Sequence, residues 1–112
     1  MKPPPHLVDD VALHAAYEFL HRAAFFDFVL PQRVTLRVRR KKGCDGFHYP
    51  HRDRIDVCPD QSPYRLLRTL AHEMCHLVLE KHGDIERRAH DSTFRATATV
   101  ICRRMGWPLK GF

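Results

Sequence analysis

The stretch Ser62-Pro63-Tyr64-Arg65-Leu66-Leu67-Arg68-Thr69-Leu70-Ala71-His72-Glu73-Met74-Cys75-His76-Leu77-Val78-Leu79-Glu80-Lys81-His82-Gly83 decides how the rest of the chain is read. Ser62 is a favourable N-cap, and Pro63 stands at the first helical position, where its missing N–H is no loss. Lys81 and His82 place cations at the negative end of the helix dipole, and Gly83 suits the left-handed residue that follows a helix. These signals predict a helix over 63–82. Leu66, Leu67, Leu70, Ala71, Met74, Cys75, Leu77, Val78 and Leu79 make it apolar almost all round, so it should lie largely buried.

Within that helix His72-Glu73-Met74-Cys75-His76 forms an HExxH motif. Residues four apart on a helix differ by about 40° in direction, so both imidazoles point the same way one turn apart. Two ring nitrogens so placed can meet one zinc ion at about 2.0–2.1 Å. Glu73 reaches a water on the metal rather than the metal, which suits a general base. With this composition, chance would produce the pattern only about 0.02 times in the chain. Burying two imidazoles and a carboxylate without partners would cost several kcal/mol, and a metal removes most of that penalty.

A catalytic zinc needs a third protein ligand and an open position. His82 has the spacing of the pattern HExxHxxGxxH, but Leu79 stands where that pattern needs glycine. If the helix continues, His82 lies about 9 Å along and some 240° around from His76. Glu86 comes too early for an antiparallel return. His90, beyond the Gly83 turn and at the start of the next helix, is favoured, with its neighbour Asp91 as the fallback oxygen ligand.

Outward from this helix, Asp9 or Asp10 caps an N-terminal helix to about Phe26, with Val11, Ala15, Phe19, Ala23 and Phe26 at helical spacing. His14, Glu18 and His21 on another stripe read as an exposed polar face rather than a metal site. After Pro31 the period becomes two: Val34, Leu36 and Val38 alternate with charged residues as in a strand with one face on the core. Lys42 to Gly46 reads as a turn, Phe47–Tyr49 as a short strand, and Arg54–Cys58 as a third, open to edge pairing with an extended peptide. A last helix starts near Asp91 or Ser92, buries Phe94, Ala98, Ile101 and Met105, and ends at Gly106 in a Schellman-like turn. The expected fold class is α+β: N-terminal helix, small three-stranded sheet, HExxH helix and C-terminal helix. Residues 1–8, proline-rich, form a flexible arm, and 9–112 form one domain.

No apolar run approaches the roughly 20 residues of a membrane span, and the start shows no secretory pattern. A cytoplasmic location follows as the expectation, nucleoid-associated if the chain meets DNA, with no membrane partner and a monomer favoured. Cys44, Cys58, Cys75 and Cys102 form no CxxC pair, so reduced thiols are expected. Cys44 and Cys58 bracket His48 and His51, but the spacing matches no standard zinc pattern. The net charge is +6, and Arg37, Arg39, Arg40, Lys41 and Lys42 cluster as a candidate nucleic-acid contact, against the plainer reading of a solvated turn.

His72-Glu73-Met74-Cys75-His76-Leu77 followed by His90-Asp91-Ser92-Thr93-Phe94 resembles the SprT-like (Spartan-type) metalloproteases, which carry HExxH on one helix and a third zinc histidine in an HGxxF-type segment opening the next. Leu67 to Ala71 and Ile55-Asp56-Val57 are also similar to that family. The resemblance spans about residues 10–107. It implies a minimal zincin-like fold, one Zn2+ held by His72, His76 and His90, Glu73 as catalytic acid/base, and proteolysis of DNA-associated or DNA-crosslinked proteins, with single-stranded or junction-containing DNA as partner. Asp91 replaces the family's usual glycine.

The expected mechanism is attack of a metal-activated water, deprotonated by Glu73, on a peptide carbonyl, with Tyr49, His51 and Tyr64 as candidates to steady the oxyanion. Two other readings stand beside it. One is a zincin that cleaves a specific regulator without DNA. The other is a non-catalytic DNA-binding module with a closed zinc site, for which Glu73 would have no use.

Overall fold

The computed structural model describes residues 9–40, 43, 45–81 and 92–112. The proposed arm 1–8, Lys41, Lys42, Cys44 and the segment 82–91, which includes His82, Glu86, His90 and Asp91, lie outside the described residues. Three helices and a three-stranded mixed sheet make the α+β layout: α1 (Asp10–Ala23), β1 (Thr35–Val38), β2 (Gly46–Tyr49), β3 (Arg54–Val57), α2 (Pro63–Lys81) and α3 (Ser92–Met105).

Local chemistry sets the element ends where the sequence marks them. Asp9 caps α1, its Oδ1 accepting the Ala12 N–H at 2.8 Å. Ser62 Oγ accepts the Arg65 N–H at 3.2 Å at the start of α2. At the end of α3, Trp107 N–H reaches the Cys102 carbonyl at 2.8 Å and Gly106 N–H that of Arg103 at 3.3 Å. With Gly106 at φ 70°, this is the expected Schellman ending.

The sheet order is β1-β3-β2, with β1 parallel and β2 antiparallel to β3. This corrects the expectation of an open edge at Arg54–Cys58, because β3 is the central strand and both its edges are taken. Although apolar and charged residues alternate along β3, Ile55, Asp56 and Val57 are all buried. Asp56 is 4% exposed because three donors satisfy it: Tyr49 Oη at 2.9 Å and Arg54 Nε and Nη2 at 2.9 and 3.1 Å.

A second correction concerns α1. Its buried face is Leu13, Tyr17 and Leu20, whereas Val11 is 77% and Phe19 46% exposed. The helix stops at Ala23, and Phe25, fully buried, enters the core in place of Phe26, which is 61% exposed. His14, Glu18 and His21 are exposed as expected. The core joins Leu13, Leu20 and Phe25 to Leu36, Ile55, Val57, Leu70, Met74, Leu77 and Ile101. The α2 helix lies at its centre, against α1, α3, β2 and β3, and every residue from Glu73 to Leu79 is buried. On α3, Phe94, Ala98 and Ile101 are buried as predicted, while Met105 is only partly so.

Candidate metal centre

On the buried α2 helix the His72 and His76 rings stand 5.1 Å apart between centroids, inclined at 67°. One potential ligand atom from each of His72, Glu73 and His76 lies within 4.8 Å of the others, and no other such trio occurs among the described residues. Glu73 is 8% and His76 9% exposed, and the helix around them is packed with aliphatic side chains. Two imidazoles and a carboxylate converging in so dry a place fit a divalent cation, and nitrogen-rich donors suit zinc.

Neighbouring elements hold the two rings from several sides. Phe94, near the start of α3, lies 4.5 Å from the His76 ring and 4.9 Å from His72. Phe112 packs 5.5 Å from His72. His48, on β2, runs almost parallel to the His76 ring, 9° off at 6.1 Å. Its Nε2 is 3.3 Å from Glu80 Oε2, while Glu80 Oε1 accepts the His51 N–H at 2.9 Å. Glu80 thus ties the β2–β3 turn to the helix that carries both histidines.

The profile of the SprT-like family matches residues 13–109, nearly the whole described core. The chain belongs to the SprT-like family. No significant match to a curated protein was found. SprT-like domains are of metallopeptidase type, and a His72-Glu73-His76 group able to hold a metal ion is present.

In this SprT-like domain a cavity of about 260 Å³ opens beside His72 and Glu73, walled by Asp45, Arg65, Arg68 and Phe112. Gln61 braces two of the residues that line it: Nε2 donates to the carbonyls of Asp45 and Cys58 at 3.0 and 2.7 Å, and Oε1 accepts from Thr69 Oγ1 at 2.9 Å. The start of β2 is thereby pressed onto α2, with Gly46 against Thr69 and Glu73.

Other residues singled out in the sequence are placed elsewhere. The Tyr49 hydroxyl donates to Asp56 at 2.9 Å, and Tyr64 Oη accepts from Arg68 Nη1 at 3.3 Å. Cys58 and Cys102 are free thiols, and Cys75 is buried in the core. In the basic cluster, Arg40 pairs with Asp60 at 2.8 Å and Arg37 comes within 3.9 Å of Asp10, so two of its charges have acidic neighbours. Arg39 makes no ion pair among the described residues, and its Nη1 donates to the Val38 carbonyl at 2.7 Å. Arg65 and Arg68 were missed as site residues. Their spacing of seven and four before His72 is the helical repeat that puts them on its face.

Proposed function

We propose that this SprT-like domain is a zinc-dependent endopeptidase acting on DNA-associated or DNA-crosslinked proteins. The observation that carries the reading is the convergence of a half-buried His72 with buried Glu73 and His76 on one side of the α2 helix. His72 and His76 hold the ion, with His90 as third ligand. In support, α3 opens at Ser92, two residues after His90 in sequence, and its Phe94 lies on both imidazoles.

When bound, zinc supplies Lewis acidity that makes water nucleophilic at neutral pH and polarises a carbonyl. The chain's own groups do the rest. The Glu73 carboxylate accepts the proton of the attacking water and returns it to the leaving amide nitrogen. Its buried position strengthens every charge interaction it makes. The extended substrate pairs along β2, whose edge away from β3 carries no strand among the described residues and whose Gly46 end lies beside Glu73.

DNA recruits the substrate rather than taking part in the chemistry. The net charge of +6 and the group Arg37, Arg39, Arg40, Lys41 and Lys42 support that part of the reading. The protein works as a cytoplasmic monomer, at the nucleoid when DNA-bound. Among the described residues, no helix is long and apolar enough to cross a membrane.

Purified wild type and Glu73→Gln test the proposal, with zinc content and cleavage of a DNA-crosslinked basic protein as readouts. Glu73→Gln should retain stoichiometric zinc and lose at least about a thousandfold in rate. Wild-type turnover by the variant would sink the role of Glu73. Cleavage that is equal with and without single-stranded DNA would instead favour a regulator-directed zincin.

A further inference from the structure

The cavity beside Glu73 has a charge pattern that metal chemistry alone does not require. We infer that it is a subsite for a carboxylate-bearing residue on the C-terminal side of the scissile bond, with Arg68 as the recognising group. The inference rests on the peptidase reading above.

The position follows from how β2 lies along α2. Gly46 abuts Thr69 and Glu73, whereas His48 lies at the level of His76 and Glu80, so strand and helix run the same way. A peptide pairing antiparallel with β2, the commoner mode, enters at the Tyr49 end and leaves at the Gly46 end. Residues beyond its scissile bond therefore arrive where Arg68 and Arg65 stand, about 6 and 10 Å along the helix axis from His72.

The chemistry follows from how the charges are matched. The Arg65 charge is opposed by Asp45, with which Nη2 makes a direct ion pair. Arg68 differs. Its Nη1 contacts Tyr64 Oη at 3.3 Å and the Pro108 carbonyl at 3.0 Å, and its Nη2 contacts the Lys110 carbonyl at 3.2 Å. All three are neutral acceptors, and Arg68 makes no ion pair among the described residues. The rings of Tyr64, Trp107 and Phe112 lie 5.6 to 5.7 Å from its Cζ and help fix the guanidinium. A guanidinium has five N–H donors, so Nε–H and one Nη2–H remain for a ligand. A positioned, uncompensated cation at a cavity of about 260 Å³ matches a Glu or Asp side chain.

The test uses zinc-loaded Glu73→Gln protein and three peptides, acetyl-Ala-Ala-Ala-Glu-Ala-amide and its Gln and Lys counterparts, titrated by NMR. The Glu peptide should bind about three- to fivefold tighter than the Gln peptide, the scale of one partly screened charge interaction. It should also shift the Gly46 and Thr69 amide signals. Asp45→Asn, which leaves Arg65 unopposed, should widen the preference, and Arg65→Gln, which leaves Asp45 unopposed, should narrow it. Both positions are exposed enough for the variants to fold, whereas Arg68→Gln also unties residues 108–110. Equal affinities for the three peptides, or binding by none, overturn the subsite. Cleavage of proteins by wild type without an acid preference would leave the peptidase standing alone. An acid preference in binding without any cleavage would leave the subsite and remove the peptidase.

Discussion

A methyl group added at Gly46 would sit 2.6 Å from Thr69 Cγ2 and 3.3 Å from the Asp56 carbonyl oxygen. Thr69 cannot swing aside without giving up its hydrogen bond to Gln61. Gly46→Ala should therefore cost about 1–3 kcal/mol in urea unfolding, the usual scale of overpacking. Wild-type stability would show that the strand can back away from the helix. Tyr17 makes a different case: its hydroxyl is buried with no hydrogen-bond partner among the described residues. Burial, assisted by the negative charge of Asp53, pushes its pKa up from 10.0 to about 12. The folded state thus favours the neutral phenol, so this contribution is intact below pH 10 and is lost as pH rises from 10 through 12. Tyr17→Phe should change neutral-pH stability by no more than about 1 kcal/mol, since no hydrogen bond is lost. It should also soften the alkaline fall in melting temperature, and an unchanged alkaline limb would refute the assignment. His72, Glu73 and His76 were legible because the motif is contiguous and its spacing is helical. Gly46 and Arg68 were not, because their partners, Thr69 and residues 108–110, come from distant parts of the chain.

At the scale of elements, the helix ends could be read because caps are local chemistry: Ser62 and Pro63 at one end of a helix, Gly106 at the end of another. Which face of α1 turns inward could not be read the same way. Val11-Ala15-Phe19 and Leu13-Tyr17-Leu20 both recur at helical spacing, and periodicity alone does not choose between them. The choice is made from outside the helix, where Asp10 Oδ1 accepts the Val38 N–H at 2.7 Å and fixes the roll of α1 against β1. Leu13→Ala and Leu20→Ala should each cost about 2–5 kcal/mol, while Val11→Ser and Phe19→Ser stay within about 0.5 kcal/mol. Chemical denaturation of the four variants checks this, and a reversed order would restore the face read from sequence. The middle position of β3 was hidden for a related reason. The burial of Asp56 depends on Tyr49 and Arg54 coming together around it, and Tyr49 belongs to the neighbouring strand.

Across the whole molecule, α2 touches both other helices and two strands, so the group that would hold the ion is built into the centre of the fold. Zinc bound there stabilises the folded state by mass action, about 4 kcal/mol when free metal exceeds its dissociation constant a thousandfold. Calorimetry with zinc and with chelator should therefore show a clear drop in melting temperature on metal removal. Identical transitions would mean that His72 and His76 hold no ion in the native protein. The α+β class emerged from the sequence because the stretches of strand period are grouped together between helical ones rather than alternating with them. The strand order depends on long-range pairing and became visible only in three dimensions. Among the described residues no strand pairs with the outer side of β2, and the edge of a sheet is where an extended chain can dock, a neighbouring molecule of the same kind included. Two features limit self-association. The strand is only four residues long, and His51 and Asp53, at φ 63° and 47°, turn the chain sharply away before a longer template can form.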